Sequence, residues 1–502
     1  MLALLQFDSA ALPLITQMLA DGRLPALADL RRRGTWMRLD AHTLLQSAAH
    51  PTLYTGMDVR DHGLYSAFPW SSADQRAYPV QRFAKPPTIW ERLTQRGRRS
   101  LVVDPYLSWA PREMAGAYLS GCHFVDRIVL PRRSVPAHVR RDLVRRHGRP
   151  PRLDDVYGRP RIASLASLRD HLVRSPDRVA GAVVDLLRRD AFDLLWLTFG
   201  AAHKAGHHLW DAASIADGAI LPDDSRALRD GLESVYVAID RAMARVIDAL
   251  PQDADVIAFS PTGMGPNRSR ADLLPGMLDA VLTGASGGPA SARRGSRSPI
   301  WSLRARVPVR WRSWIASALP DDVAANLTTR LYLQADWPRT RAMAVPGENQ
   351  GYVRLNLRGR EREGCVDPAE ADALLASIAE GLATFRDPDG LPSISKVERT
   401  TDLAGRPSAR GLPDLVVTWS DREGASLSEV ESPRYGAVAR QGSGSGRSGN
   451  HTDDAWAIVV PGRSRQRDPG RPAGIADIGA TACALLDADR AGLAGTSLLE
   501  AA

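Results

Sequence analysis

Short apolar runs that end in small or polar residues alternate with helical patterns along this chain. That alternation most constrains its fold, because it is the mark of a mostly parallel sheet whose crossovers are helices. The runs suited to buried strands are 2–7, 100–103, 194–199, 256–259, 415–419 and 457–460. Helical patterns fall at 11–21, 25–33, 88–95, 167–174, 177–188, 223–250 and 367–384. In the 223–250 stretch, Leu228, Leu232, Val235, Ala238, Ile239, Met243, Val246 and Ile247 share one helical face.

At 502 residues and 44% hydrophobic composition the chain holds ample material for a large core, which excludes a disordered, collagen-like or disulfide-stapled protein. The length admits up to three domains, but one sheet with insertions uses it equally well. Three stretches read as insertions or loops: 121–165, rich in Arg and Pro; 284–313, rich in Gly, Ser and Arg; and the glycine-dense 440–450 that runs into His451. Cys122, Cys365 and Cys483 have no short spacing, so neither a zinc ribbon nor a disulfide framework is expected, and a reducing compartment is. No apolar run approaches about 18 residues, and Met1 leads straight into Leu-Ala-Leu-Leu-Gln-Phe-Asp8 without a basic region. The expectation is a soluble cytoplasmic protein.

The net charge of +8 hints at nucleic acid, yet 62 of the 65 basic residues are arginine, a skew that genome composition explains. The densest patch runs from Arg293 to Arg312, with Trp301, Trp311 and Trp314 interleaved. A headgroup or nucleic-acid contact there is weighed against a solvated basic insertion, and the solvated insertion is the expectation, so nucleic acid is not an expected partner.

Functional groups in open α/β sheets collect where strands end at their carboxyl edges. Asp8, His203, the Pro261-Thr262-Gly263 turn and His451 all lie near such ends. His203 and His207 are one helical turn apart, which puts both imidazoles on one side, a start for a zinc site or an ordinary structural pair. Asp8 closes the first strand; it is either a functional carboxylate or the N-cap of the helix that starts near Ala10. The segment from Leu44 to Gly63, with Ser47, His50, Thr52, Thr55 and His62, reads as a nucleophile loop or a capped helix start, and no Gly-x-Ser-x-Gly elbow decides between them.

Taken in order, these pieces resemble the alkaline phosphatase superfamily, in its type I phosphodiesterase/nucleotide pyrophosphatase branch. The ordered set begins with Asp8, Gly22-Arg-Leu-Pro25 through Gly34, then Thr55-Gly56 and His62-Gly63, Pro87-Thr88-Ile-Trp90 and Asp104-Pro105. It continues with His203 and His207, Ser260-Pro-Thr-Gly263-Met264-Gly, Gly351 through Gly359, Pro413-Asp-Leu-Val-Val, Gly449-Asn-His451 and Asp477-Ile-Gly-Ala-Thr481. The resemblance implies a three-layer α/β/α sandwich with a mostly parallel central sheet, one domain over 1–502. The 121–165 insertion and a cap-like basic insertion at 268–345 would interrupt it.

It also implies two metal sites about a phosphoryl centre. The first, which takes an Asp, a His four residues on and a late His, maps to His203, His207 and His451, with histidine where the family has aspartate. A three-histidine site keeps a fourth position open and suits one zinc per chain. The second maps to Asp8 and a Thr/Ser nucleophile that falls on Gln46 in register, or on Ser47 with a one-residue slip. Its Asp-His pair falls on Pro261-Thr262. Proline offers no donor and threonine only a hydroxyl, so this second site is expected to be dismantled. The resulting expectation is a metal-dependent hydrolase or group-transfer enzyme of the phosphodiesterase type acting on a small phosphoester or related anionic ester, with water attacking directly or Ser47 as nucleophile. Asp8, Ser47 and Thr262 are the expected catalytic residues, with Asp8 as base or orienter and also a candidate metal ligand. The alternative is a catalytically silent relative that binds a ligand or partner. Oligomeric state is not indicated.

Overall fold

The computed structural model describes residues 1–41, 45–83, 85–154, 158–217, 228, 230–284, 336–404, 411–440 and 444–502. The Arg293–Arg312 patch, with its tryptophans, and the start of the 223–250 helical pattern lie outside the described residues.

Leu2 and Leu4 point to one face of their strand, Ala3 and Leu5 to the other, and all four are buried. A strand buried on both faces needs a layer on each side. One layer holds the helices Leu12–Ala20, Pro25–Arg33, Ile162–Leu187 and Gly231–Ile247; the other holds Ile89–Gln95 and Ile475–Leu485. Between them lies an eight-stranded sheet in the order Thr35–Leu39, Ala455–Val460, Asp255–Ser260, Leu2–Gln6, Leu194–Thr198, Ser100–Val103, Gly116–Ser120, Arg133–Val135. The five strands from Asp255–Ser260 to Gly116–Ser120 run parallel. The mostly parallel three-layer sandwich is therefore the fold. Truncating a core side chain such as Leu4 to alanine would cost about 2–5 kcal/mol.

Three expectations are corrected. The Ala455–Val460 strand enters the sheet antiparallel to both its neighbours. The Leu415–Trp419 strand belongs to a separate four-stranded antiparallel sheet with Ala342–Val345, Gly351–Leu355 and Ile394–Arg399, because a buried apolar run does not disclose which sheet it joins. The two patterns at 167–174 and 177–188 are one helix, Ile162–Leu187, that continues through Pro176. Proline leaves the Leu172 carbonyl without its helical partner, and the Ser175 hydroxyl donates to that carbonyl at 3.2 Å instead.

The 121–165 stretch supplies the edge strand Arg133–Val135 and the helix Ala137–His147. Of 268–345, the described parts are the helix Leu274–Thr283 and the strand Ala342–Val345, which pack with the second sheet. Among the described residues no helix is long and apolar enough to cross a membrane.

Candidate metal centre

Three parallel strands end side by side and aim their successors at one point. After Leu2–Gln6 the chain reaches Asp8 and turns at Ser9, whose φ is 55°. Asp8 does not cap the following helix: Ala11 occupies the N-cap position without a side-chain bond, and Tyr236 Oη takes the Ala11 N–H at 2.8 Å. Asp8 is wholly buried instead, and side chains of the protein donate to both its oxygens. Gln6 Nε2 donates to Oδ1 at 2.7 Å, His50 Nε2 to Oδ1 at 2.8 Å and His203 Nδ1 to Oδ2 at 2.9 Å. Gln6 cannot turn away, because Trp196 Nε1 and Thr198 Oγ1 donate to its Oε1 at 3.2 and 3.1 Å. Burial alone would raise the Asp8 carboxyl, but the charges and hydrogen bonds of His50 and His203 outweigh it and hold the group well below the usual carboxylate range.

The helix Ala201–Leu209 follows the Leu194–Thr198 strand and carries His203 and His207. A carboxylate can only accept, so His203 carries its proton on Nδ1 and keeps a lone pair on Nε2. His207 Nδ1 donates to the Gly449 carbonyl at 2.9 Å, which leaves the His207 Nε2 lone pair free as well. These two Nε2 atoms face each other at 3.1 Å. Gly449 makes the approach feasible: a Cβ there would fall 2.2 Å from the Gly206 carbonyl oxygen.

His451 arrives from the other side. Its strand, Gly449–Thr452, pairs antiparallel with Gly263–Pro266, directly after the Asp255–Ser260 strand, and places His451 opposite Met264. The His451 ring centroid lies 4.7 Å from that of His203 and 4.9 Å from that of His207. Its Nδ1 is buried with no hydrogen-bond partner. Ligand nitrogens of the three histidines lie within 4.8 Å of one another. Burial lowers the pKa of all three, with the Arg447 guanidinium adding to the effect, which favours the neutral imidazoles whose lone pairs face each other. A divalent cation would fill the gap between them, and the pinned outer nitrogens are the usual support for metal-bound histidine.

The remaining expected residues sit around this cluster. Thr262 Oγ1 is 3.1 Å from Ser9 Oγ, which is 3.1 Å from His203 Nδ1. Thr262 is thus coupled to the cluster through Ser9. Ser47 is half-buried, and the nearby Tyr352 phenol donates to Gln350 Oε1 at 3.1 Å. Gln46 is tied at both ends of its amide, to Asp453 Oδ1 at 2.8 Å and to Asn349 Nδ2, and Asn349 also holds the His451 carbonyl at 2.9 Å. Three participants carry no distinct signal in the sequence: Gln6, His50 and Tyr106, whose ring stacks on His203 at 4.0 Å. The nearest thing to one for Gln6 is a lone glutamine in an otherwise apolar strand, and His50 is one of several unassigned polar residues in the 44–63 segment.

Residues 2–444 match the model of the type I phosphodiesterase / nucleotide pyrophosphatase family. The chain belongs to that family. Its members are phosphoester hydrolases that work with divalent metal ions, and the chain is an enzyme of this kind. His451 lies just beyond the matched residues. Among solved structures, phosphonoacetate hydrolase from Sinorhizobium meliloti in complex with phosphonoacetate is similar at 13% identity and a TM-score of 0.50, over 97% of this chain and 95% of that one. Human ectonucleotide pyrophosphatase / phosphodiesterase 5 is similar at 13% identity and a TM-score of 0.47, over 99% and 97% of the two chains. At such identity the likeness to the phosphonoacetate hydrolase speaks for the fold alone. No curated protein sequence matches the chain.

Proposed function

We propose that this enzyme hydrolyses a small anionic phosphoester with the help of one divalent ion, zinc by donor type, held by His203, His207 and His451. The observation that carries the reading is the pair of facing Nε2 lone pairs whose opposite ring nitrogens are pinned by Asp8 and Gly449. Such an ion supplies charge stabilisation at the phosphoryl oxygens and lowers the pKa of water.

The chain's own residues do the rest. Asp8 orients His203 and is itself held by Gln6 and His50; Asp8, His50 and His203 also lie close enough together to hold an ion, and in this reading the carboxylate serves as an anchor. Pro261 brings no donor to that side and the Thr262 hydroxyl is engaged with Ser9. Arg447, paired with Glu348 at 2.7 Å, adds positive potential beside the histidines, which favours an anionic ester. With Gln46 tied at both ends in the register where the family has its nucleophile, water is the nucleophile in this reading.

Metal analysis together with an assay on bis(p-nitrophenyl) phosphate tests it. Near one zinc per chain is expected, with metal and turnover lost together in His451→Ala. A metal-free protein inert towards phosphate mono- and diesters and sulfate esters would overturn it in favour of a silent binding scaffold.

A further inference from the structure

The segment that leaves the Ser100–Val103 strand is held in a conformation that few side chains adopt. Asp104 has a φ of 53° and Leu107 a φ of 57°, the left-handed region, which persists in non-glycine residues only where the surroundings impose it. Here the 121–165 stretch imposes it. The wholly buried Asp104 carboxylate accepts from the backbone N–H groups of Cys122 and His123 at 2.8 and 2.6 Å and from His123 Nδ1 at 2.8 Å. The Leu107 N–H donates to the Val129 carbonyl at 2.8 Å. Arg178 closes the far side by donating to the Cys122 and His123 carbonyls at 3.1 and 2.6 Å.

Between the two strained residues stands Tyr106. Its ring lies 4.0 Å from the His203 ring at an interplanar angle of 26°, and 5.6 Å from the His50 ring. The His203 ring can still turn about its Cβ–Cγ bond. The Asp8 bond restrains its Nδ1 edge, and the Tyr106 ring lies against its face. Both contacts restrain where His203 Nε2 points.

We propose that Tyr106 is a positioning residue for the metal-binding edge of His203, and that Asp104 and His123 clamp it in place. The inference rests on the three-histidine metal site of the proposed function. It gives the 121–165 stretch a task, since that stretch holds the loop that aligns the ligand.

Cobalt(II) binding to the full chain tests this, followed by equilibrium titration and by the visible spectrum of the bound ion. Wild type is expected to take one ion. Tyr106→Leu removes the flat face and should weaken binding about tenfold, the low end of what outer-shell partners contribute, with a shifted visible band. Tyr106→Phe keeps the face and should match wild type. Asp104→Asn tolerates the same φ and keeps one acceptor, so it offers a milder variant that should fold and weaken binding a few-fold. Wild-type affinity and spectrum in both Tyr106→Leu and Asp104→Asn would overturn the inference while leaving the three-histidine site intact. A wild-type protein that takes no cobalt would overturn that site and this inference with it.

Discussion

Two sides of the same centre treat buried polar groups in opposite ways. On the His203, His207 and His451 side, each outer nitrogen of the first two rings is pinned and the inner ones are left with lone pairs that face each other at 3.1 Å. On the Asp8 and Thr262 side, three donors converge on one carboxylate and the neighbouring hydroxyls satisfy one another. Asp8, Thr262, His203 and His207 are buried, and His451 is half-buried. In the proposed reading the first side is the ligand set and the second its anchor.

The largest expected effect comes from breaking the open side. His207→Ala should abolish metal binding and lower hydrolysis by more than the roughly 100-fold that loss of an outer-shell partner costs; retention of both would dissolve the distinction between the two sides. Next is Asp8→Asn. If Asp8 is an anchor, the variant should still take one ion per chain with about 10- to 100-fold weaker affinity. Two ions in wild type and one in the variant, counted by equilibrium dialysis, would make Asp8 a ligand and erase the contrast.

Acid should also tell the sides apart. The pKa values of His207 and His451 lie well below 6.5, chiefly through burial, so below that pH the unfolded chain takes up protons that the folded one refuses. Stability of the metal-free protein is then present above pH 6.5 and lost as pH falls, at about 1.4 kcal/mol per pH unit for each such group until its folded pKa is reached. The Asp8 carboxyl is lowered from 3.8, so its contribution fades only below that pH. Urea unfolding at stepped pH should show the earlier loss in wild type and a shallower slope in His451→Ala. The smallest effect is expected from Ser47→Ala. Its activity should stay within about tenfold of wild type, because in the proposed reading water attacks rather than Ser47. A drop of several orders of magnitude would show that a covalent step runs through Ser47.

Local pattern carries much of this molecule. Apolar runs buried on both faces are readable as strands because their hydrophobicity is a property of consecutive residues, and the Ser100–Val103 and Leu415–Trp419 bounds coincide with the runs. The spacing of His203 and His207 on one helix turn is readable for the same reason. Which sheet Leu415–Trp419 joins, and that Ala455–Val460 runs antiparallel, is not, since strand pairing is made between residues far apart in the chain.

The ordered motifs of the chain are enough to place His451 beside His203 and His207 as an expectation, and to show that Pro261 cannot stand for a ligand. Only the tertiary structure shows what surrounds Asp8. A carboxylate at the end of a strand reads alike whether it caps a helix, binds an ion or holds a histidine. The structure removes the cap and brings Gln6, His50 and His203 to it from three separate elements. The stack of Tyr106 on His203 belongs to the same class: it depends on a loop that Cys122, His123 and Val129 hold from outside, and no local periodicity encodes a contact of that kind.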